Sequence, residues 1–174
     1  LRVRSATVLG KVDPARAMNM VNEVLEQDPQ HIAARALETR LHEEAGRWEQ
    51  AARSLRARIE IVTSAKEKVA LWLKLATVYD ARMRDSKSAV EALQEARRID
   101  PIHPVPPEEI ARVLEASGDS KSLRLAIEQL SNDAISPAER ARHLTHAAEI
   151  DELRLLDDAN AAKLRDWAQI TFGA

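Results

Sequence analysis

The segment from Trp72 to Pro101, WLKLATVYDARMRDSKSAVEALQEARRIDP, predicts two helices joined by a short polar turn. Apolar residues in its first half recur at the i, i+3, i+4 and i+7 spacing of one helix face: Trp72, Leu75, Ala76 and Tyr79. Asp85 suits the N-cap of the second helix, whose inward stripe is Ala89, Leu93 and Ala96. Pro101 cannot continue that helix. The segment is therefore expected to form an antiparallel helix pair.

These positions resemble the tetratricopeptide repeat (TPR), a unit of about 34 residues with the pattern W..LA..Y and then A...F..A....P. Eight residues match in order: Trp72, Leu75, Ala76, Tyr79, Ala89, Leu93, Ala96 and Pro101. This copy has one extra residue in the turn, and Leu93 stands where the family often has an aromatic residue. The resemblance implies an all-α, right-handed superhelical solenoid of antiparallel helix pairs, about five TPR-like repeats in all.

The same outline recurs along the chain at a fixed offset. Asp13, Asp85 and Asp157 are each 72 residues apart (85 − 13 and 157 − 85). A second type of copy lies between them, because Gly46 recurs as Gly118 at the same offset. The unit of self-similarity is thus a pair of repeats, one with an Asp-headed turn and one with a Gly turn. Such alternation resembles long bacterial TPR arrays built from two-repeat units.

We expect one solenoid over residues 1–174, with repeats at about 1–29, 30–63, 64–103, 104–135 and 136–174. The proline-rich stretch from Pro101 to Pro107 could be a domain boundary, but the 72-residue phase continues through it, which favours an inter-repeat turn. The chain begins inside the first helix of a repeat and has no starting Met. We therefore expect a piece of a longer protein.

Composition favours helices, since 45% of the 174 residues are hydrophobic, 3% are aromatic and only four are glycines. The net charge of −2, without a dense basic block, disfavours a nucleic-acid partner. The chain has no cysteine, which excludes disulfides. The location of the protein is unknown from the sequence, and the lack of cysteine slightly favours the cytoplasm. No apolar run approaches the roughly 20 residues needed to cross a bilayer, so no membrane association is expected.

The helix patterns also predict caps and a core. Asp13, Ser64, Ser136 and Asp157 are expected N-caps, and His31 and His103 recur as caps or turn contacts. Gly46 is expected to close the third helix. The inward stripe of that helix is predicted to be Ala33, Leu37 and Leu41, and the core is expected to take all three tryptophans: Trp48, Trp72 and Trp167.

We find no pattern that predicts catalysis, a metal or a cofactor. His143, His146 and Glu149 have i, i+3 and i+6 spacing, but no second cluster completes a metal shell, so an exposed helix surface is the simpler interpretation. The paired carboxylates Asp157-Asp158 and Glu43-Glu44 have no partner acid or base placed by a motif. The four glycines build neither a phosphate loop nor a nucleophile elbow.

The TPR resemblance implies a concave groove lined by the first helix of each repeat. The groove residues expected from the family positions are Arg40, Glu43, Glu44, Thr77, Asp80, Glu108, Arg112, Glu115, Thr145, Glu149 and Glu152. Acids outnumber bases in this set, which predicts an extended or helical peptide with basic residues. An ordinary charged helix face is the alternative. The residues in one key row, Ala36, Leu73, Glu108 and Thr145, argue against binding of a chaperone tail.

The sequence thus predicts a non-catalytic protein–protein interaction scaffold that binds a protein or peptide in this groove. A structural spacer, or a segment that self-associates through its open repeat ends, is the second possibility. A third is the sensor portion of a transcriptional regulator whose DNA-binding domain lies elsewhere.

Overall fold

The computed structural model of the chain describes residues 2–10, 12–101, 105–134 and 136–172, although not the side chains of residues 2, 105–108 and 172. Within these residues the fold is all-α, as predicted. The helices are α1 (Arg2–Leu9), α2 (Pro14–Gln27), α3 (Ile32–Glu44), α4 (Trp48–Ile61), α5 (Ala65–Val78), α6 (Ser86–Ile99), α7 (Val105–Ser117), α8 (Ser120–Asp133), α9 (Pro137–Ile150) and α10 (Asp158–Phe172).

The chain divides into two compact units, an N-terminal unit of residues 1–101 and a C-terminal unit of residues 102–174. The division falls in the proline-rich stretch. Consecutive helices form pairs within each unit: α1–α2, α3–α4 and α5–α6 in the first, and α7–α8 and α9–α10 in the second. A single solenoid through both units stays a prediction.

The first three helices of the N-terminal unit share one apolar cluster. Helix α2 contributes Val21 and Leu25, and α3 contributes Leu37 and Leu41. Ala6 of α1 and Ala34 of α3 are completely buried, because small residues let the helices approach closely. Helix α3 therefore occupies the groove that α1 and α2 form, as expected for stacked repeats.

Polar side chains begin the helices where the sequence predicted them. Asp13 and Asp85 accept hydrogen bonds from the backbone N–H groups three residues on, at 3.0 Å each, and Ser64, Ser136 and Asp157 do the same. His31 caps α3 through Nδ1, 3.2 Å from the Ala34 N–H. Each bond satisfies a donor that the first turn leaves free. His103 lies outside the described residues.

The extra residue in the central repeat is accommodated by π-helical turns. Residues Tyr79–Met83 continue α5 as a π-helix, and Arg84 ends it in the left-handed conformation at φ 55°. The Asp85 N–H then donates to the Tyr79 carbonyl at 2.9 Å. The same device recurs 72 residues later, where Asp151–Leu155 continue α9 and Leu156 has φ 55°. A π-turn is the usual way to insert one residue into a helix.

The other type of turn uses glycine. Gly46 and Gly118 follow α3 and α7 with φ of 68° and 75°, a conformation that costs glycine nothing. No other heavy atom lies within 4 Å of a Cβ built at either site, so the left-handed backbone explains these glycines and crowding does not.

Among the described residues of the C-terminal unit, one buried side chain is charged. Asp151, 1% exposed, begins the π-helical turn. One of its carboxylate oxygens lies 3.6 Å from Arg124 Nε of α8, and the other accepts a hydrogen bond from the Asn160 amide of α10. The carboxylate thus joins α8 and α10 to the end of α9, and the apolar residues around it include Leu123, Ile127, Leu144, Ile150 and Leu164.

Two expectations about the core are wrong. Ala33 is exposed, and Ala34 takes its place on the inward face of α3. Trp167 is 56% exposed on α10, while Trp48 and Trp72 are only partly buried. The helical spacing placed Ala33 and Trp167 on the buried face of their helices, although that face lies one residue away. The error arises because alanine and tryptophan occur both on the buried face of a helix and at its exposed edge.

Candidate functional site

The predicted groove residues of the N-terminal unit lie on α3 and on α5 with its π-turn. Arg40 pairs with Glu44 at 3.4 Å along α3. Glu43 pairs with Lys74 of α5 at 2.9 Å. The Thr77 hydroxyl donates to the Leu73 carbonyl of its own helix at 3.0 Å, and Asp80 lies in the π-turn. Both predicted groove glutamates on α3, Glu43 and Glu44, are therefore neutralised by cations of this chain.

The groove residues of the C-terminal unit lie on α7 and on α9 with its π-turn. Arg112 pairs with Glu109, Glu115 with Arg154, and Glu152 with Arg165 of α10. The Thr145 hydroxyl donates to the Ala141 carbonyl at 2.9 Å. Glu149 is exposed and forms no ion pair with any described residue. The Glu108 side chain lies outside the described part, and the outcome for that residue stays open.

These pairs change the electrostatics expected of the groove. Glu43, Glu44, Glu115 and Glu152 each have a lysine or arginine partner, so the acidic excess counted in the sequence is largely cancelled. The hydrogen bond that Arg165 donates to Glu152 raises the pKa of the Arg165 guanidinium, and the charges of Glu152 and Glu149 act in the same direction. Glu149 is the groove acid with the clearest opportunity to meet a ligand.

The largest cavity that we describe lies in the C-terminal unit between α9 and α10, with a volume of about 740 Å³. It brings together two of the predicted groove residues, Thr145 and Glu149. The other residues that line it are Ala138, Ala141, Arg142, His146, Arg165, Ala168 and Gln169. Alanines and polar side chains alternate around the opening, a lining suited to a peptide.

The second site, in the N-terminal unit, centres on Trp48 and Arg82. The Arg82 guanidinium carbon lies over the Trp48 ring, 4.9 Å from its centroid. Cavities of about 310 and 340 Å³ adjoin this pair. The first contains the predicted groove residues Glu43 and Thr77. The sequence analysis missed this stack because Trp48 and Arg82 are far apart along the chain and belong to different repeats.

A neutral histidine lies beside the second site. Arg47 Nε donates to His42 Nδ1 at 3.1 Å, which requires an unprotonated Nδ1. Burial lowers the pKa of His42, and the charges of Arg47 and Arg53 lower it further, while Glu38 opposes them. His42 thus accepts a hydrogen bond and leaves the charge of this edge to the arginines.

Residues 9–63 match the family profile described as a tetratricopeptide repeat. The match covers α2, α3 and α4. Helices α2 and α3 belong to the apolar cluster described above. Residues 9–63 thus carry the tetratricopeptide-repeat signature. TPR folds serve in general as scaffolds for protein–protein interaction. A search of curated protein sequences found no match.

Solved TPR structures share the fold over most of the chain. A crystal structure of MamA aligns at a TM-score of 0.53 and 19% identity, covering 99% of this chain and 88% of MamA. YrrB, described as a TPR protein with an unusual peptide-binding site, aligns at 0.53 and 16% identity, covering 98% of this chain and 84% of YrrB. PilF of Pseudomonas aeruginosa aligns at 0.52 and 18% identity, covering 94% of this chain and 71% of PilF.

Other site chemistries find no support in the described part of the chain. Its His, Asp and Glu side chains form no group of three or more that could hold a metal ion. None of its helices combines the length and hydropathy needed to span a membrane. The cavity at α9–α10 and the two cavities at Trp48 are the features to which we attach a function.

Proposed function

We propose that this chain is a non-catalytic scaffold that binds a peptide segment of a protein partner in the α9–α10 cavity. The observation that carries the proposal is the cavity itself, about 740 Å³ in volume and lined by the predicted groove residues Thr145 and Glu149. That volume is within the range of sites that hold a ligand of several residues. The peptide-binding site named for YrrB, which has the same fold, is consistent with this role.

The cavity corresponds to a position that a helix fills elsewhere in the chain. In the N-terminal unit, α3 packs against Val21 and Leu25 of α2. The residues 144 positions later are Arg165 and Gln169 of α10, and both line the cavity. The space is therefore of the size of a helix, and Arg165 and Gln169 line it at the positions where Val21 and Leu25 meet α3. We infer that a helical peptide fits it.

The charges of the wall define the ligand further. Glu149 offers a carboxylate without an ion-pair partner among the described residues, and Ala141 and Ala168 form a buried apolar floor. Small floor residues leave room for the side chains of a ligand. The ligand is thus expected to be an amphipathic helical peptide with a short apolar face and a basic residue that meets Glu149.

Fluorescence anisotropy with two labelled helical peptides tests the proposal. One peptide combines alanine, leucine and lysine, and the other replaces each lysine by glutamate. We expect saturable binding of the first peptide, about tenfold weaker for Glu149→Lys and abolished by Thr145→Trp, which fills the cavity. Glu60→Lys, at an exposed position of α4, is the matched charge control and should bind as the original chain does. Equal binding of both peptides, or no effect of Thr145→Trp, would exclude the α9–α10 cavity as the site.

Self-association is a second candidate, supported by exposed apolar residues at both ends of the described chain. Val8 and Val12 are 73% and 83% exposed near α1, and Trp167 and Ile170 are 56% and 70% exposed on α10. Apolar side chains of this kind can be covered by another copy. Light scattering coupled to size exclusion over a concentration series decides this point, because a constant monomer mass rejects the candidate and a rising mass supports it.

A further inference from the structure

The Trp48–Arg82 stack places a cation over an aromatic ring. Arg82 is exposed, and no described carboxylate pairs with it. The plane of a guanidinium that lies over an indole ring keeps its N–H edge free to donate. Stacking also restricts the side chain before any ligand arrives, which reduces the entropy lost on binding.

The reason that Arg82 lacks an acidic partner can be read from the equivalent position of the C-terminal unit. Arg154, 72 residues later, pairs with Glu115. The residue equivalent to Glu115 is Glu43, but Glu43 pairs with Lys74 at 2.9 Å. The residue equivalent to Lys74 in the C-terminal unit is His146. Lys74 on α5 thus pairs with Glu43, the carboxylate that would otherwise pair with Arg82.

The space around the stack can hold a side chain and its neighbours. Arg82 and Trp48 line both adjoining cavities, of about 310 and 340 Å³. The first also contains Val78 and Thr77, which offer apolar contact, beside the paired Glu43 and Lys74. The second contains Arg47, an additional cation, together with Glu49. Trp48 is partly buried, so part of its side chain remains available for contact. Tryptophan and arginine together are typical of the residues that dominate protein interfaces.

We propose that the Trp48–Arg82 stack is a second binding site, which takes an aspartate or glutamate of an acidic segment in a protein partner. The carboxylate accepts two hydrogen bonds from the free edge of the Arg82 guanidinium. An apolar residue beside that carboxylate enters the cavity lined by Trp48, Thr77 and Val78. This site prefers the opposite charge from the α9–α10 cavity and does not depend on it.

NMR titration of the ¹⁵N-labelled full chain tests this inference. The probe is a capped hexapeptide of alternating leucine and aspartate, and its leucine–asparagine counterpart is the uncharged control. We expect the Trp48 indole N–H resonance, assigned with Trp48→Phe, to shift saturably with the aspartate peptide alone. Arg82→Gln should weaken binding about tenfold, because a charge-assisted hydrogen bond is lost. Lys87→Gln removes an exposed cation from the same unit and should leave the affinity unchanged.

A variant that retains both stacked residues separates recognition from simple packing. Lys74→His gives the N-terminal unit the side chain of the C-terminal unit, so Glu43 is released to pair with Arg82. We expect binding of the aspartate peptide to weaken severalfold while the circular dichroism stays unchanged. The inference is overturned if the Trp48 resonance does not shift, if both peptides shift it equally, or if Arg82→Gln binds as well as the original chain. Loss of binding to the α9–α10 cavity would have no bearing on this result.

Discussion

The two π-helical turns of the chain have the same backbone and different anchors. Each follows the first helix of a repeat, spans five residues and ends at a left-handed residue that is not glycine. In the N-terminal unit the first residue of the turn is Tyr79, and its hydroxyl accepts a hydrogen bond from Arg56 Nε at 2.9 Å. In the C-terminal unit the first residue is Asp151, held by Arg124 and Asn160.

The comparison shows that the inserted residue determines the π-helical backbone of the turn. The neighbouring helices determine which side chain anchors its first position. The positions equivalent to Arg124 and Asn160 in the N-terminal unit are Ala52 and Ser88. Ala52 is buried and apolar, so a carboxylate in place of Tyr79 would lack the partner on that helix. An aromatic ring with one hydroxyl bond fills the N-terminal position, whereas an ionic network fills the C-terminal one.

The largest effect is expected from Arg124→Met, which leaves the Asp151 carboxylate buried without its cation. A buried charge that loses its partner destabilises a protein by several kcal/mol, and since Asn160 remains we expect about 3 kcal/mol. Urea unfolding followed by circular dichroism measures the loss. Glu128→Gln is the control, because it removes only the more exposed partner of Arg124 and should cost less than about 0.5 kcal/mol. Equal costs for the two variants would show that Asp151 does not need Arg124.

Tyr79→Phe is expected to have a smaller effect, about 1 kcal/mol, because it removes one hydrogen bond and keeps the ring in the core. The Arg56 guanidinium, 5.7 Å from the ring centroid, retains its contact with the ring face. The same urea experiment applies. Thr171→Val, which removes an exposed hydroxyl bonded within its own helix, is the control. A loss as large as that of Arg124→Met would contradict the distinction between the two anchors.

A third prediction compares the two types of turn within the C-terminal unit. Leu156 is 82% exposed and has φ 55°, so Leu156→Gly relieves backbone strain and loses little contact. We expect stabilisation of about 0.5 kcal/mol, the strain relieved less the entropy cost of glycine. Gly118→Ala should instead destabilise by about 1 kcal/mol, because alanine resists φ of 75°. Thermal unfolding of both variants tests the opposite signs, and a shared sign would refute the assignment.

The smallest expected effect is on the pH dependence of stability. It comes from His42 of the N-terminal unit, a histidine that the equivalent position of the C-terminal unit lacks. Its pKa is lowered below 6.5 by burial and then by Arg47. The unfolded chain therefore binds more protons than the folded chain as the pH falls through 6.5, and the stability that the neutral ring confers is lost below that pH. Urea midpoints at pH 7.5 and 5.5 should differ less for His42→Gln than for the original chain. An identical pH dependence would show that His42 titrates normally.

Helix positions, caps and the repeat period were predictable because they depend on neighbouring residues. The Asp and Ser caps bond to N–H groups three residues away, and Gly46 and Gly118 take the backbone conformation that ends a helix. The single extra residue near Arg84 was visible as a departure from the TPR length, but its form was not. A π-turn forms because the hydrogen bonds of the preceding helix and the N-cap at Asp85 are both kept.

The candidate sites were predicted only in part. Thr145 and Glu149 line one cavity, and Glu43 and Thr77 line another. Their role as groove residues stays a prediction. The acidic character inferred from composition was largely lost, because partners such as Lys74, Arg154 and Arg165 come from other helices. A count of acids along one helix face does not include the cations that the neighbouring helices supply.

The sequence by itself determined the all-α repeat fold, the 72-residue alternation of turn types and the polar residues that begin each helix. These features follow from interactions over three to seven residues, which a linear pattern records. The tertiary structure alone decided that Lys74 takes Glu43 from Arg82, that Arg82 lies over Trp48, and that Asp151 is buried between Arg124 and Asn160. Each of those contacts depends on distances between helices, and the packing of the helices sets these distances. A buried charge or an exposed guanidinium then pairs with the nearest suitable group in space.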